Sequence, residues 1–314
     1  MTKKDGTSKA SKAAHEAADM TRRMVCGGFA GMIAKTATNP LDRIRMLSQT
    51  GEHGGKGKKS AFDLYRSILH NEGIIGLWAG NGANLLRVFP AKAVVFSTND
   101  VYKKFMRGMI GIDDKKPLPM WVAFLAGGMA GMTATAATYP LDLARGRITG
   151  KLAAPGGKQH HYKGIINTVI LTAKDEGALA LYKGITPTLL GAMPYEGIKF
   201  GTVGLLEILL PKKDEEGKGA SPWRKMCFGG AGGVMAGLIT YPNDTVRRML
   251  QLQGSRGTTA VYAGYWDCVK QIYTKYGIQR FYNGVTVNII RMAPNTAVQF
   301  GSYELLKQLT EQYL

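Results

Sequence analysis

One short motif occurs three times in this chain at almost constant spacing. A proline is followed by an aspartate two positions later and by an arginine five positions later, in segments 40–45, 140–145 and 242–247. The prolines are 100 and 102 residues apart. Self-similarity at a fixed period indicates repeated structural units that pack against one another. The 314 residues are therefore expected to form one domain of three repeats rather than several unrelated domains.

The boundaries of the repeats follow from the motif and from the composition between its copies. We place the repeats at residues 21–110, 118–210 and 220–314. Residues 1–20 are polar and rich in alanine and lysine, without the apolar core of a signal peptide. We expect them to be a disordered tail.

Each motif lies at the end of a long stretch of small and apolar residues. Residues 117–141 are 25 consecutive uncharged residues, and residues 226–243 are another 18. A helix that crosses a membrane needs roughly 20 apolar residues. The equivalent stretch of the first repeat, residues 24–41, contains a single charge, Lys35. These stretches predict the first membrane-spanning helix of each repeat.

A second apolar segment in each repeat carries isolated charges, which lowers the mean hydropathy to −0.10. Ionisable side chains within a membrane are costly unless they face a wet interior. We therefore predict an all-α membrane protein, with six transmembrane helices in a pseudo-threefold bundle around an aqueous cavity. Short amphipathic helices are expected between the spans of each repeat, near residues 61–70, 164–173 and 265–276. A soluble helical solenoid is the alternative.

The motif also predicts a ring of ion pairs. An acid and a base three positions apart lie on one face of a helix, and threefold symmetry lets each acid reach the arginine of a neighbouring repeat. Proline bends a helix and would bring the three helix ends together. The predicted ring residues and their prolines are Pro40, Asp42, Arg45, Pro140, Asp142, Arg145, Pro242, Asp244 and Arg247. A static network is the alternative to a gate.

Composition limits the classes of function. The net charge of +19, from 41 Lys+Arg against 22 Asp+Glu, favours an anionic partner. No basic and aromatic motif for nucleic acid is evident, so we predict no nucleic-acid partner. The three cysteines and five histidines show no metal-ligand spacing, and no catalytic triad or phosphate loop occurs. We predict no metal, no cofactor and no enzymatic activity.

Basic residues in the middle of the predicted spans are candidates for binding a substrate. Arg87 and Arg291 each precede a proline by three residues, and Lys35 precedes Pro40 by five. Guanidinium groups suit phosphate oxygens, and small residues beside a tyrosine leave room for a flat ring. The candidate set also includes Gly191, Ala192, Tyr195, Lys199, Asn288 and Asn295.

From about residue 22 to residue 306, these motifs resemble those of the mitochondrial carrier family. The resemblance implies six tilted helices around a central substrate site, which two ion-pair networks close alternately. It also implies that a glutamine nine residues after a proline braces the first network. Gln49 and Gln251 occupy this position, and Thr149 takes it in the second repeat. We therefore expect two braces at most.

The second network of the family lies at the opposite end of the bundle. It uses an aromatic residue, an acid and a base on the second helix of each repeat. The matching residues are Asp100, Lys103, Tyr303, Glu304 and Lys307. In the second repeat Val203, Gly204 and Glu207 take these places, so a complete ring cannot form. We expect a weaker gate on the cytoplasmic side.

The resemblance also bears on the substrate. Lys35, Arg87 and Arg291 match phosphate-binding positions of the ADP/ATP carriers, but segment 247–252 departs from their run of arginine and methionine. Other segments resemble carriers of coenzyme A and of ATP-Mg/phosphate. We expect antiport of an anionic, adenine-nucleotide-type solute by alternating access. A coenzyme A or phosphoadenosine phosphate carrier is the alternative, and a non-transporting membrane scaffold is a remote one.

The resemblance favours a monomer in the mitochondrial inner membrane, with a lipid such as cardiolipin as a further partner. Because the family also has members in peroxisomal and plastid membranes, those membranes are alternative locations. The loops that follow the proline motifs are more positive than the loops between repeats. The charge asymmetry of membrane loops then predicts that both termini lie on the opposite side, toward the intermembrane space.

Overall fold

The computed structural model of the protein describes residues 4–50, 60–112, 118–150, 164–210, 222–254 and 262–313. Within these ranges the chain forms ten α-helices and three 3₁₀ helices, without a strand. The α-helices are α1 (Lys4–Thr50), α2 (Ala61–Glu72), α3 (Asn81–Ile110), α4 (Met120–Thr149), α5 (Ile165–Glu176), α6 (Ile185–Leu209), α7 (Pro222–Ile239), α8 (Tyr241–Leu252), α9 (Tyr265–Tyr276) and α10 (Val285–Tyr313).

Six long arms form a closed circle. The arms are α1, α3, α4, α6, the pair α7 and α8, and α10. The most extensive packing joins α1 to α10, α3 to α4 and α6 to α7, and each of these contacts links two different repeats. The two arms of one repeat pack on each other less. Each repeat is therefore joined to both of the others.

Two features of the arms differ from what the sequence predicted. Helix α1 starts at Lys4, so the tail that was expected to be disordered is helical from there onward. Alanine, lysine and glutamate are strong helix formers, and no proline precedes Pro40, so a polar composition alone does not end the helix. As for the six predicted spans, none of the helices in the described ranges is both long enough and apolar enough to cross a membrane.

The two arms of each repeat are joined in the same way. A short helix ends at a glycine, a 3₁₀ helix follows, and a second glycine precedes the next arm; the 3₁₀ helices are Ile74–Trp78, Ala178–Tyr182 and Ile278–Tyr282. The second glycines, Gly80, Gly184 and Gly284, have φ of 79°, 86° and 82°. Only glycine adopts this left-handed conformation without strain. Helices α2 and α5 run slightly further than predicted, and α9 has the predicted bounds.

The apolar core lies at the end of the bundle where the short helices pack on the arms that carry the proline motifs. One cluster joins α1 to α2 through Leu47, Leu64 and Ile68, which are at most 1% exposed. A second cluster joins α8 to α9 and contains Val246 and Ile272, both 1% exposed. Close packing at this end holds the three motifs in fixed positions relative to the short helices.

Buried ion pairs fasten the short helix in the first two repeats. Arg43 is fully buried and donates from Nη2 to Glu72 Oε1 at 2.8 Å. Arg147 is also fully buried and donates from Nη2 to Glu176 Oε2 at 2.9 Å, and Lys183 Nζ donates to the same oxygen at 2.6 Å. Burial alone would raise the pKa of the Glu176 carboxyl, but the hydrogen bonds from Arg147 and Lys183 outweigh burial and hold this pKa below its usual value.

Replacing Glu176 by glutamine is expected to weaken this attachment in a pH-dependent way. Because the folded carboxyl has a lowered pKa, its stabilising effect is complete at neutral pH and is lost as the pH falls below the unfolded value of about 4.3. Glu176→Gln should therefore melt below the wild type at neutral pH, and the difference should shrink on acidification. Glu304→Gln is the control, because Glu304 is an exposed glutamate on α10. A melting difference that does not depend on pH would contradict the assignment.

Candidate functional site

The three proline motifs meet at the packed end of the bundle. Pro40 and Pro140 lie inside the continuous helices α1 and α4, whereas the third arm breaks between α7 and α8, just before Pro242. In each copy the acid and the arginine are one helical turn apart, so they share a face. The three faces point toward one another and bring the six charged side chains together.

Three ion pairs connect the repeats in a closed ring. Arg45 Nη2 lies 2.5 Å from Asp244 Oδ2, and Arg145 Nη2 lies 3.5 Å from Asp42 Oδ2. The third pair joins Arg247 to Asp142. Every pair links an arginine of one repeat to an acid of another, which is the connectivity that the threefold spacing predicts. We call these six residues the ion-pair ring, and the layer that contains them the ring end of the bundle.

Two glutamines support the ring. Gln49 Nε2 donates to Asp244 Oδ2 at 3.0 Å, and Gln251 Nε2 donates to Asp142 Oδ2 at 2.9 Å. Thr149, at the same position of the second repeat, instead donates from Oγ1 to the carbonyl oxygen of Ala79 at 3.3 Å. Asp42 is therefore the ring acid without a glutamine beside it among the described contacts.

Each ring acid also has a second basic neighbour. Arg87 Nη1 donates to Asp142 Oδ1 at 2.6 Å, and Arg291 Nε lies 3.1 Å from Asp42 Oδ1. Asp244 has Arg248 Nε at 3.9 Å. Two of the predicted substrate residues, Arg87 and Arg291, therefore contact ring acids directly. The sequence prediction missed Arg248 as a site residue, although its place beside Arg247 was a usable signal.

A small polar cavity lies beside the ring. Its volume is about 150 Å³, and its lining residues are Lys35, Asp42, Arg45, Met46, Gln49, Arg145, Arg248 and Arg291. Five of these side chains are basic and one is acidic. With Arg87 and Arg247 on Asp142, seven described basic side chains converge on three acids at the ring end, which leaves an excess of four positive charges. Such a region attracts an anion.

The remaining predicted substrate residues do not line this cavity. Asn288, which is 5% exposed, accepts a hydrogen bond from Arg291 Nη2 at 3.1 Å, and Asn295 Oδ1 accepts one from Thr38 at 3.2 Å. Lys199 Nζ lies 3.4 Å from Glu196 on its own helix. Ala192 is exposed and Tyr195 is half-buried on α6.

Gly191 is packed against a neighbouring side chain. Asn243 Nδ2 donates to the carbonyl oxygen of Pro187 at 2.7 Å. A Cβ atom added to Gly191 would collide with this amide group. The space that the sequence assigned to a flat ring beside Gly191 therefore holds Asn243 in this conformation.

Residues just before the prolines, which the sequence prediction did not include, connect the ring to the joints between arms. Tyr139 Oη donates to the carbonyl oxygen of Lys183 at 2.9 Å and accepts from Gln251 at 3.3 Å. Tyr241 Oη donates to the carbonyl oxygen of Asn283 at 3.0 Å, and the guanidinium of Arg45 lies over its ring. A tyrosine directly before Pro140 and Pro242 was the available signal.

The second network is not formed at the opposite end of the bundle in the described ranges. Asp100 and Glu304 are exposed, and within the described ranges neither forms an ion pair. Lys103 and Tyr303 are half-buried on the same arms as these acids. In the second repeat, a Cβ atom added to Gly204 would meet nothing within 4 Å. The structure therefore represents a state that is closed at the ring end.

A family model described as "Mitochondrial carrier protein" matches residues 16–109, 116–214 and 218–314. The chain belongs to the mitochondrial carrier family. The three matched segments correspond to the three repeats, and membership places the chain among transporters rather than enzymes.

Named relatives align with almost the whole carrier. Human solute carrier family 25 member 16 is 35% identical over 300 residues, which cover 91% of this chain and 87% of the human protein. The mitochondrial coenzyme A transporter SLC25A42 of Xenopus tropicalis is 33% identical over 92% of this chain and 85% of its own length. Mitochondrial carrier protein CoAc2 of Zea mays is 31% identical over 91% of this chain and 85% of its own length.

Removing a glutamine beside the ring is expected to destabilise the ring-closed state. In Gln49→Ala, Asp244 loses one hydrogen bond to a charged acceptor, worth about 1.5–3 kcal/mol, and the melting temperature should fall by several degrees. Gln271→Ala is the control, because among the described contacts Gln271 bonds to Asp267 on its own helix, α9. Equal melting temperatures for Gln49→Ala and the control would argue against a bracing role.

Completing the second network is expected to strengthen the opposite gate. The double substitution Gly204→Asp and Glu207→Lys supplies the missing acid and base, and Gly204 has room for a side chain. A stronger gate would favour the state closed at the end opposite the ring, so the transport rate should fall while the fold is kept. Circular dichroism and transport by reconstituted protein measure the two effects, with Gly204→Ala as the control. Unchanged transport by the double variant would contradict the expectation.

Proposed function

We propose that this carrier exchanges coenzyme A across the mitochondrial inner membrane by alternating access, with the six arms as its membrane spans. The proposal rests on the names of two relatives that align with nearly all of the chain. They are the mitochondrial coenzyme A transporters of Xenopus tropicalis and Danio rerio. Their names favour the coenzyme A alternative over the adenine-nucleotide hypothesis that the sequence motifs first suggested.

The charge at the ring end supports an anionic substrate of this kind. Coenzyme A contains a phosphate monoester and a diphosphate, which together carry about four negative charges at neutral pH. The excess of four positive charges among the described ring-end side chains would be balanced by such a molecule. Neutralising the excess positive charge would remove the mutual repulsion of the arginines, so substrate binding is expected to be strongly favourable.

The outer surface of the arms supports a membrane location. Large apolar side chains on several arms are exposed, among them Phe29, Trp121, Phe124, Phe200 and Leu205, each more than 40%. Exposed apolar surface of this extent marks contact with a membrane or with partners. Under the proposal, both termini lie toward the intermembrane space, and the ring end closes the path to the matrix.

The transport cycle follows from differential binding. A substrate shifts a conformational equilibrium only if it binds one state more tightly than another. In the ring-closed state the second network is not formed in the described ranges, so we expect a substrate to enter from that end and to reach Lys35, Arg87 and Arg291. Tighter binding in the occluded state, in which both ends approach closure, would lower the barrier between the two open states, as transition-state binding does in catalysis.

An adenine-nucleotide exchanger is the second candidate, because Lys35, Arg87 and Arg291 can bind any chain of phosphates. ATP has about the same charge as coenzyme A, so charge alone does not separate the two. Both molecules also contain adenine, so the packing of Asn243 against Gly191, which fills the space for a flat ring there in the ring-closed state, does not separate them either. Liposomes that contain the purified carrier and are loaded with coenzyme A or with ADP distinguish the two candidates.

The proposal predicts rapid uptake of labelled coenzyme A into liposomes loaded with coenzyme A, and slow uptake into empty liposomes. Uptake of ADP but not of coenzyme A would support the second candidate instead. Uptake of neither substrate, with protein that melts cooperatively, would refute both.

Arg87→Ala and Arg291→Ala are expected to abolish coenzyme A uptake, because each removes a guanidinium that can pair with phosphate oxygens. Loss of one charge-assisted contact is worth about 1.5–3 kcal/mol, which corresponds to at least about a tenfold loss in affinity. Arg66→Ala, on the exposed surface of α2, is the matched control and should transport normally. Melting curves confirm that the variants are folded. Normal uptake by Arg87→Ala or Arg291→Ala would refute the site.

A further inference from the structure

One acid on α6 belongs to neither ion-pair network. Glu196 lies two residues after the proline of this arm. The equivalent positions of α3 and α10 carry Lys92 and Thr296, so threefold symmetry does not require an acid here. Glu196 is therefore specific to the arm that, among the described contacts, supplies no guanidinium to the ring acids.

The packing of α6 places Glu196 between two neighbouring arms. Met193 Cε lies 3.7 Å from the place that a Cβ atom of Gly128 on α4 would occupy. The carbonyl oxygen of Lys199 lies 2.6 Å from the corresponding place at Gly232 on α7. Successive residues of an α-helix are about 100° apart, so Glu196 is about 60° from Met193 on one side and about 60° from Lys199 on the other. Its side chain therefore points between α4 and α7.

The side of α6 that carries Glu196 faces the interior of the bundle. Leu190, which is apolar and 57% exposed, lies about 120° from Glu196, beyond the contact with α4, and marks the outer face. An ionised side chain within a span is costly unless it faces a wet interior. Ala192, one turn before Glu196, directly follows the position at which α3 and α10 carry Arg87 and Arg291. With the arms as spans, Glu196 therefore borders the path of the substrate.

The carboxylate of Glu196 is only partly paired. Its described partner is Lys199, whose Nζ lies 3.4 Å from Oε2, and the two side chains are 46% and 34% exposed. Charge-assisted N–H···O hydrogen bonds are shorter, about 2.7–2.9 Å, and exposed ion pairs stabilise little. A carboxylate can accept about four hydrogen bonds. Most of the accepting capacity of Glu196 is therefore available to a ligand that carries N–H or O–H donors.

The level of Glu196 in the bundle suits a part of the substrate other than its phosphates. Arg87 and Arg291 contact ring acids from the level that Gly191 occupies on α6. Glu196 follows Gly191 by five residues, which is about 7.5 Å along the helix axis, away from the ring. A carboxylate repels phosphate oxygens and attracts hydrogen-bond donors. Phosphates are therefore favoured at the ring end, and a group with donors is favoured beside Glu196.

We propose that Glu196 is a specificity-determining residue whose carboxylate accepts hydrogen bonds from N–H and O–H groups in an uncharged arm of the substrate. The inference rests on the proposed function, because the arm of coenzyme A beyond its diphosphate carries two amide N–H groups and a hydroxyl group. Lys199 is a positioning residue that keeps the carboxylate on the interior face. Groups of opposite charge then bind the two ends of the substrate and fix its direction in the bundle.

Phosphoadenosine phosphate tests the assignment, because it has the adenosine and the 3′-phosphate of coenzyme A but not the arm. Glu196→Ala should bind coenzyme A at least about tenfold more weakly than the wild type, since hydrogen bonds to a charged acceptor are lost. It should bind phosphoadenosine phosphate at least as tightly as the wild type. Ligand-induced shifts in melting temperature measure both affinities and show that the variant is folded. Losses of equal size for the two ligands would overturn the proposal.

Two further variants separate the hydrogen bonds from other effects. Glu196→Gln keeps an accepting oxygen without the charge, so it should retain part of the coenzyme A affinity that Glu196→Ala loses. Equal affinities of these two variants for coenzyme A would contradict the hydrogen-bonding role. Thr296→Ala is the matched control, because Thr296 holds the equivalent position on α10 and its described hydrogen bond is to Met292 on its own helix. It should bind both ligands as the wild type does.

The same measurements distinguish failure of this inference from failure of the proposed function. A wild type that binds and exchanges coenzyme A, with Glu196→Ala equal to it in both assays, would overturn the role of Glu196 and leave coenzyme A transport standing. A wild type that binds phosphoadenosine phosphate but neither binds nor exchanges coenzyme A would overturn the proposed function, and the inference with it.

Discussion

The three shared carboxylates of the ion-pair ring are the constraint on which the rest of the structure depends. Asp42, Asp142 and Asp244 are largely buried, and a buried carboxylate is tolerated only if it is paired and hydrogen-bonded. Each has an arginine from another repeat and a second basic neighbour. Removing one partner of such a pair costs about 3–5 kcal/mol, so the ring adds to the packing between arms of different repeats and fastens the three repeats together at one end. Opening that end breaks these ion pairs, so it requires new interactions that stabilise the open state by a comparable free energy.

The same arrangement connects binding to movement. Arg87 and Arg291 are the best candidates for phosphate contacts, and in the ring-closed state they pair with Asp142 and Asp42. An incoming phosphate therefore competes with the ring acids for these guanidinium groups. In the empty carrier the ring stays closed because the ring acids are the anions that these arginines can pair with. A bound substrate supplies other anions and therefore weakens the closed ring. Under the proposed function, this competition explains why exchange would be faster than movement of the empty carrier.

The sequence allowed much of this arrangement to be predicted, for identifiable reasons. The ring follows from spacing within one helix and from the period of the repeat, so the pairing of each arginine with an acid of another repeat could be predicted from the sequence, whereas the structure shows that Arg45 pairs with Asp244. The pairing of Arg291 with Asp42 depends on how closely α10 approaches α1, and the packing of Asn243 against Gly191 depends on a contact between α8 and α6. Neither distance can be predicted from a local sequence pattern, because each depends on contacts between helices that are far apart in the sequence. Composition likewise gave the polarity of residues 1–20 but not the helix that begins at Lys4.

The departures from threefold symmetry concentrate on one arm. At the position three residues before its proline, α6 carries Gly191, where α3 and α10 carry Arg87 and Arg291. Near its other end, α6 carries Gly204 where those arms carry acids. This arm therefore supplies no guanidinium to the ring acids at one end and no acid to the opposite network. The positive charge that faces the interior is displaced toward α1, α3 and α10. Under the proposed function, phosphates would bind on that side, and the uncharged remainder of the substrate would lie along α6, where Ala192 is exposed and Tyr195 half-buried.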